Sequence, residues 1–192
     1  MNLRKKEFPR RRTEPGKVEW VTGIFFLLFL GILLCAFLQL EIFRSSAQYL
    51  EDALAASNLA SAVIDVEEYG ISHRIWIGDV QEAYERYKTA VKGNLNLNDA
   101  WECENRKIIS GPVKVVDYTV YNVSGNDVTV SHFDESGMLT EWQEQLGSAK
   151  TPGGKVIEST GVYSEIKYRV EGMLGTEAEA HKGKLVDIIT GE

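Results

Sequence analysis

This 192-residue chain contains three histidines and two cysteines, the residue types that most often bind metals or react covalently. His73, His132 and His181 fall in separate segments, without the close spacing that a metal site needs. His132 continues the apolar side of a predicted strand, where a lone histidine is typical of a partly buried or edge position. Cys35 lies in an apolar run and Cys103 outside it, so we expect no disulfide between them. Cys103 is then either buried and inert or available for an intermolecular bridge.

Motifs for nucleophilic catalysis and phosphate binding are not recognised either. Ser124-Gly125 and Ser136-Gly137 have the form of turns, and no serine lies in a GxSxG motif. Gly153-Gly154 lacks the flanking strand and helix of a phosphate-binding loop. The carboxylates of residues 65–68 are placed at a helix end and those of residues 177–179 in a polar loop, where solvation accounts for them. We therefore predict a protein that is not an enzyme and binds no metal or cofactor.

One acid has an unusual position, because Glu19 stands immediately before a long apolar run that begins at Trp20. A carboxylate at the edge of a lipid-embedded helix is costly and is best satisfied by a cation. That cation is either Lys17 or an amine of a neighbouring molecule. The alternative is that Glu19 simply lies among the lipid headgroups. Trp20 has the amphipathic ring that is favoured at a membrane interface.

The apolar run covers residues 20–40 and contains no charged side chain. Twenty-one residues at a helical rise of about 1.5 Å span roughly 30 Å, the thickness of the hydrocarbon layer. The sequence therefore predicts a transmembrane helix in contact with membrane lipid. A cleaved secretory signal is the main alternative, since Ser45 and Ala47 resemble a small-x-small cleavage site. A buried helix of a soluble domain is disfavoured, because the remaining chain is too short to surround it.

The charges are divided unequally between the two sides of this run. Residues 1–19 carry seven basic and three acidic side chains, a net charge of +4, whereas the rest of the chain carries −11. Positive flanks stay in the cytoplasm, so a cytoplasmic leader (1–19) and an extracytoplasmic domain (41–192) are predicted. The acidic domain repels phosphate, which excludes nucleic acid as a partner.

Helical periodicity continues beyond the run and predicts helices over about 41–66 and 79–92. The first helix carries a stripe rich in small residues, which permits close packing against a partner or against its own domain. Gly70 is predicted to end this helical element. Asp79 with Glu82 has the form of a capping box for the second helix. The members of the stripe are Phe43, Ala47, Leu50, Leu54, Ser57, Ala60 and Ile64.

Alternation of apolar and polar residues from about 107 to 190 predicts five or six half-buried antiparallel strands. Residues 124–127 form the turn of a hairpin, and the last strand is predicted over residues 184–190. The connections are too short for parallel crossovers, so the strands should form a meander. The predicted fold class is α+β: a long N-terminal transmembrane helix continuing into an amphipathic one, a second helix and an antiparallel sheet.

This order of a basic leader, an apolar helix with an amphipathic extension and an antiparallel sheet resembles the type IV pilin and pseudopilin superfamily. More narrowly, it is similar to the TadE-like minor components of Tad/Flp pilus loci. The resemblance implies cleavage by a prepilin peptidase between Gly16 and Lys17, and charge pairing of Glu19 during helix assembly. Two positions depart from the family pattern: Glu19 would be the third mature residue where the family has its acid at the fifth, and Lys17 replaces the usual apolar first residue.

The expected function is that of a single-pass membrane protein that takes part in assembling a bacterial surface pilus or secretion filament through its N-terminal helix. Its expected partners are other pilin-like subunits or assembly-platform proteins. An anchored extracytoplasmic scaffold or binding domain of the cell envelope is the alternative from a different class. An envelope enzyme is the third reading.

Overall fold

The structure is a computed structural model that describes residues 15–103, 109–172 and 175–188. These described residues form three helices and five strands, an architecture of the α+β class. The chain divides into two compact units between Leu40 and Glu41. The greater part of the predicted leader, residues 1–14, lies outside the described residues.

Helix α1 (Pro15–Ser61) begins at a proline, which suits the first turn of a helix because no backbone N–H is needed there. The predicted helix over 41–66 is wrong at its end, since α1 stops at Ser61. The reason is a competing cap. The Asp65 side chain accepts hydrogen bonds from the backbone N–H groups of Glu67 and Glu68 and so starts a new helix.

Helix α2 (Val66–Ser72) passes through Gly70, so the predicted helix end at that glycine is also wrong. The helix ends instead at His73, whose left-handed backbone (φ 54°) allows its N–H to reach the carbonyl of Tyr69. Helix α3 (Val80–Asn94) agrees with the prediction. The side chain of Asp79 accepts a hydrogen bond from the backbone N–H of Glu82, as the capping box implies.

Five antiparallel strands form one sheet in the order β3-β2-β1-β4-β5. The predicted antiparallel sheet is confirmed, and the turn between Ser124 and Asp127 joins its first two strands. The sheet is not the simple meander that we predicted, because β4 pairs with β1 and not with β3. The strands are β1 (Lys114–Ser124), β2 (Asp127–Phe133), β3 (Leu139–Gln145), β4 (Gly161–Glu171) and β5 (Glu177–Asp187).

The long connection over residues 146–160 accounts for this strand order. It carries the chain from β3 back across the sheet and buries Ala149 and Ile157 against one face. Strand β5 begins at Glu177, so the predicted polar loop over residues 177–179 is a strand, and the predicted last strand begins too late. Its alternation was hidden because both faces of β5 carry charged side chains and no residue of β5 is fully buried.

The main core lies between the other face of the sheet and the helices. Leu50 and Leu54 of α1 and Tyr87 of α3 are fully buried there. Tyr87 packs on Tyr118 of β1, with 4.7 Å between the ring centroids. The second half of α1 is therefore part of the domain core, which positions the helix on the sheet.

Candidate functional site

The first candidate site is the apolar part of α1. Its large side chains are mostly more than half exposed; Leu28 and Leu34, for example, are each 60% exposed. By length and composition this helix can cross a membrane, and none of its most apolar stretch is buried. A helix that is apolar on every side and uncovered matches the hydrocarbon layer and not water. The structure is therefore compatible with a single N-terminal membrane anchor.

The residues singled out for processing and charge pairing lie together at the start of α1. The backbones of Gly16 and Lys17 are in its first turn, and Glu19 and Trp20 follow within the next. Glu19 and Trp20 border a shallow concavity that is open along the helix beside Gly23. Trp20 is 78% exposed, as a ring at a membrane interface would be. Cleavage after Gly16 and charge pairing of Glu19 stay predictions.

The small-residue stripe of α1 packs against the domain's own sheet. Leu50, Leu54 and Ser57 are fully buried, which agrees with the stripe at these positions. Ala60 is exposed, so its placement on the stripe was wrong; the helix geometry puts Ser61 in the buried position instead. Of the two partners that the stripe permitted, the domain itself is the one observed.

Polar contacts fix α1 on the sheet. The side-chain amide of Asn58 donates to the carbonyl of Lys184 (2.8 Å), and the Tyr118 hydroxyl donates to Ser61 Oγ (3.0 Å). Glu51 accepts from the ammonium groups of Lys182 (2.6 Å) and Lys184 (2.8 Å) on β5. These hydrogen bonds to two lysines, together with their charges, lower the pKa of Glu51 to about 2.

The two contacts of Glu51 with lysines predict that the free energy of unfolding depends on pH. Because the folded-state pKa is lowered, the contribution is present above about pH 4.5 and is lost as the pH falls toward 2. The side chain is 37% exposed, so screening limits the contribution to about 1 kcal/mol. Glu51→Gln should therefore destabilise the domain at pH 6 and flatten the loss of stability between pH 4.5 and 2, measured by urea unfolding in detergent.

The matched control for this prediction is Glu85→Gln, which removes one exposed ion pair with Lys88. We expect the stability of this variant to depend on pH as in the unmodified protein. An unchanged acid slope in Glu51→Gln would show that the two lysine contacts do not stabilise the fold.

The second candidate site is a polar cluster on the opposite face of the sheet, beyond the residues covered by the connection 146–160. Thr119 Oγ1 donates to Asp117 Oδ1 (2.6 Å) and lies 3.0 Å from His132 Nδ1. His132 Nδ1 is also 3.3 Å from the same Asp117 oxygen. Burial raises the pKa of Asp117, while the hydrogen bond from Thr119 opposes that effect.

This arrangement differs from a hydrolytic triad. In a triad the carboxylate and the nucleophile lie on opposite nitrogens of the imidazole. Here Asp117 and Thr119 both face the Nδ1 atom of His132, so the hydroxyl is not placed for activation. The cluster joins neighbouring strands by hydrogen bonds, and its geometry suits a structural network.

Three further polar side chains continue the cluster on β4 and β5. The Tyr163 hydroxyl donates to Glu165 Oε2 (2.9 Å), and His181 Nδ1 lies 3.1 Å from Glu165 Oε1. Tyr163 crosses over Gly183, where a Cβ would lie only 2.3 Å from its hydroxyl oxygen. Sequence reasoning missed these contacts. The residue types were visible, but which of them face one another depends on strand register.

A cleft of about 380 Å³ lies beside α3. Its aromatic walls are Tyr84 and Trp101, and the ammonium groups of Lys88 and Lys92 lie 4.6 and 5.1 Å from the centroids of these two rings. Trp101 has a left-handed backbone (φ 62°), which is uncommon for a bulky residue. Sequence analysis did not find this cleft, since residues from distant segments line it. The other lining residues are Val113, Lys114, Val115 and Glu135.

The two cysteines are both free thiols. Cys103 is half-buried, and its thiol donates to the carbonyl of Leu95 at 3.5 Å. Its position is therefore intermediate between the two alternatives drawn from the sequence. Within the described residues, no group of three or more histidine, cysteine or acidic side chains could hold a metal ion.

Comparison with protein-family models, curated proteins and solved structures gave no match. What this chain does is therefore inferred from its own residues and their geometry.

Proposed function

We propose that this chain is a single-pass membrane protein whose N-terminal helix assembles with like helices in a bacterial pilus or secretion filament. The observation that supports the proposal most is the division of α1 into two parts. Residues 20–40 expose apolar side chains all round, whereas the part from Leu50 to Ser61 is built into the core of an α+β domain. Such a helix can leave lipid and enter a helical bundle while it holds its domain firmly.

The physical role of each part follows from its surface. The exposed apolar surface is satisfied by lipid or by similar helices, and transfer between them costs little because both are apolar. Glu19 at the border of this surface gains most where a neighbour supplies a cation. The basic residues before the helix favour a cytoplasmic N-terminus and an extracytoplasmic domain.

The alternative is a membrane-anchored scaffold or binding domain that does not enter a filament. Two observations favour it. The small-residue stripe of α1 is already occupied by the domain's own sheet, and the cleft between Tyr84 and Trp101 combines aromatic walls with the ammonium groups of Lys88 and Lys114. Lys88 is ion-paired with Glu85 (2.7 Å) and Lys114 with Glu135 (3.7 Å), so it is the aromatic faces that suit a ligand, one with an apolar body.

Processing of the leader separates the two proposals. Intact-mass analysis of the protein extracted from the membranes of its own host should show a new N-terminus at Lys17 if the chain is a pilin-like subunit. A chain that keeps its leader would exclude assembly by prepilin processing and would leave the anchored domain as the function.

Substitution of Glu19 tests the assembly step. Glu19→Ala should lower the amount of subunit in the sheared filament fraction at least several-fold, because the neighbour's amine loses its counter-charge. The domain should unfold at the same urea concentration as before. Glu41→Ala is the matched control, since Glu41 is an exposed acid on the same helix, and we expect it to assemble normally. Equal assembly of both variants would contradict the charge-pairing role.

A further inference from the structure

Strand β3 forms one edge of the sheet, and among the described strands it pairs only with β2. At the end of this hairpin, Asp134 N donates to the carbonyl of Met138. Hydrogen-bonded and non-hydrogen-bonded pairs alternate along an antiparallel ladder. The backbone N–H and C=O groups of Glu141 and Gln143 therefore point away from β2, along the open edge.

Among the described residues, this edge has two glutamates but lacks the other usual devices that protect an edge against strand pairing. Natural sheets protect their edges with charged side chains, most often lysines, and with prolines, bulges or a covering segment. β3 contains no lysine or proline, and its register with β2 continues over seven residues without a shift. Six of its seven residues are exposed, and Trp142 is 40% exposed. Such a strand is a ready template for a further strand.

The charges on this edge are unbalanced. Glu141 accepts a hydrogen bond from the Ser131 hydroxyl (2.8 Å), and Glu144 accepts from the Trp142 indole N–H (2.7 Å). Both donors are neutral. Within the part of the chain that the structure describes, neither carboxylate forms an ion pair. β3 therefore presents two uncompensated negative charges.

The opposite edge of the sheet has a local positive excess near its middle. On β5, Lys182 and Lys184 share the single carboxylate of Glu51. This carboxylate neutralises only one of the two positive charges. Both lysines lie on the same face of the sheet as Glu141, as the strand register shows. β5 is also an edge strand, since β4 is its only partner among the strands that the structure describes.

We propose that the β3 edge of one copy of this chain pairs with the β5 edge of a second copy. Each strand in the sheet is antiparallel to its neighbours, so β3 and β5 run in the same direction and would pair in parallel. Placing Glu141 opposite Lys182 brings an acid beside the excess cation and sets Trp142 opposite Gly183. Pairing of β3 with another β3 is disfavoured, because it adds a second copy of the same two glutamates to an edge that already lacks a cation.

This contact is head-to-tail, so a pair of copies keeps one free β3 edge and one free β5 edge. Repetition of such a contact builds an open series of copies unless the rotation closes a ring. The inference goes beyond the proposed assembly through α1, because it concerns the α+β domain and requires neither leader cleavage nor packing of the apolar helices.

Cross-linking of single-cysteine variants in native membranes tests the contact. Two differently tagged full-length chains, Thr140→Cys and His181→Cys, are co-expressed in a Cys35→Ala/Cys103→Ala background and treated with a short bis-maleimide. We expect the mixed 140–181 dimer to exceed either homodimer several-fold. A pair carrying Glu67→Cys in place of His181→Cys reports random collisions. Dominant 140–140 dimers, or mixed dimers no more abundant than this collision control, would overturn the proposal.

Removal of one outward N–H group tests whether backbone pairing holds the copies together. Gln143→Pro deletes a donor at the open edge and spares the ladder with β2, whereas Gln143→Ala keeps the donor. The proline variant should lose most of the 140–181 cross-link, and the alanine variant should retain it. Unfolding in urea shows whether both variants are folded. Equal cross-linking in two folded variants would overturn the proposal.

Leader cleavage, read by mass, should be normal in both, so failure of this contact is distinguishable from failure of filament assembly.

Discussion

Replacing Leu28 and Leu34 together with arginine is expected to abolish stable membrane insertion of the chain. An arginine at the centre of a membrane helix costs about 2.5 to 3.5 kcal/mol in insertion experiments. Two such charges leave the apolar segment with little net preference for lipid. The protein should then be released by alkaline carbonate extraction of membranes, whereas the unmodified chain should stay in the pellet.

Leu59 provides the matched control on the same helix. It is 62% exposed, almost the same as Leu28 and Leu34, but it lies in the part of α1 that packs on the sheet. Leu59→Arg should leave the carbonate-resistant fraction unchanged, since its side chain is expected to face water. Retention of the double variant in the membrane, or equal release of the control, would contradict a membrane span at residues 20–40.

The second large effect is expected from Leu54→Ala in the core of the domain. Leu54 has no exposed surface, and a leucine-to-alanine change at such a site costs about 2 to 5 kcal/mol, because a cavity remains. In a domain of this size the melting temperature should fall by about 5 to 15 °C. Thermal unfolding in detergent, followed by near-ultraviolet circular dichroism, measures this change.

Leu59→Ala is the appropriate comparison for the core variant. Its side chain is exposed on the same helix, so the substitution removes few contacts and should change the melting temperature by no more than about 2 °C. A small effect of Leu54→Ala would mean that the second half of α1 does not belong to the folded domain. The helix would then be free along its whole length, and the proposed division of α1 into two parts would be wrong.

The two experiments together examine the feature on which the proposed function depends. Carbonate extraction tests whether the first part of α1 spans the membrane. Thermal unfolding tests whether its second part packs in the core of the domain. A helix that passes both tests has one part that inserts into lipid and one part that belongs to the domain core. This is the property that a filament subunit and an anchored binding domain share, and leader cleavage then separates these two functions.

Several features of the fold were predictable because they depend on neighbouring residues. The apolar run at 20–40 contains enough consecutive residues to cross a membrane whatever its surroundings. The cap at Asp79 needs only the backbone of the next turn, and the hairpin at Ser124–Asp127 needs only a tight turn. The alternation in β1 and β2 likewise reports burial of one face of each strand.

Where local signals compete, the sequence was insufficient. Gly70 is a typical helix end, but α2 continues through it, because the cap at Asp65 and the left-handed His73 place this helix elsewhere. β5 was predicted too short, since charged residues occupy both of its faces and weaken the alternation. In both cases several weak signals of similar strength gave different boundaries.

The sequence by itself determined that this protein has one long apolar helix, an unequal charge distribution and an α+β domain with antiparallel strands. Only the tertiary structure decided that β4 pairs with β1, that Glu51 binds two lysines more than 130 positions away, and that Asp117 faces His132. The reason is physical: periodicity and capping act over one or two turns, whereas strand order and register are set by the packing of distant segments. The open edges of β3 and β5 follow from that strand order, so the proposed contact between copies became visible only in the folded domain.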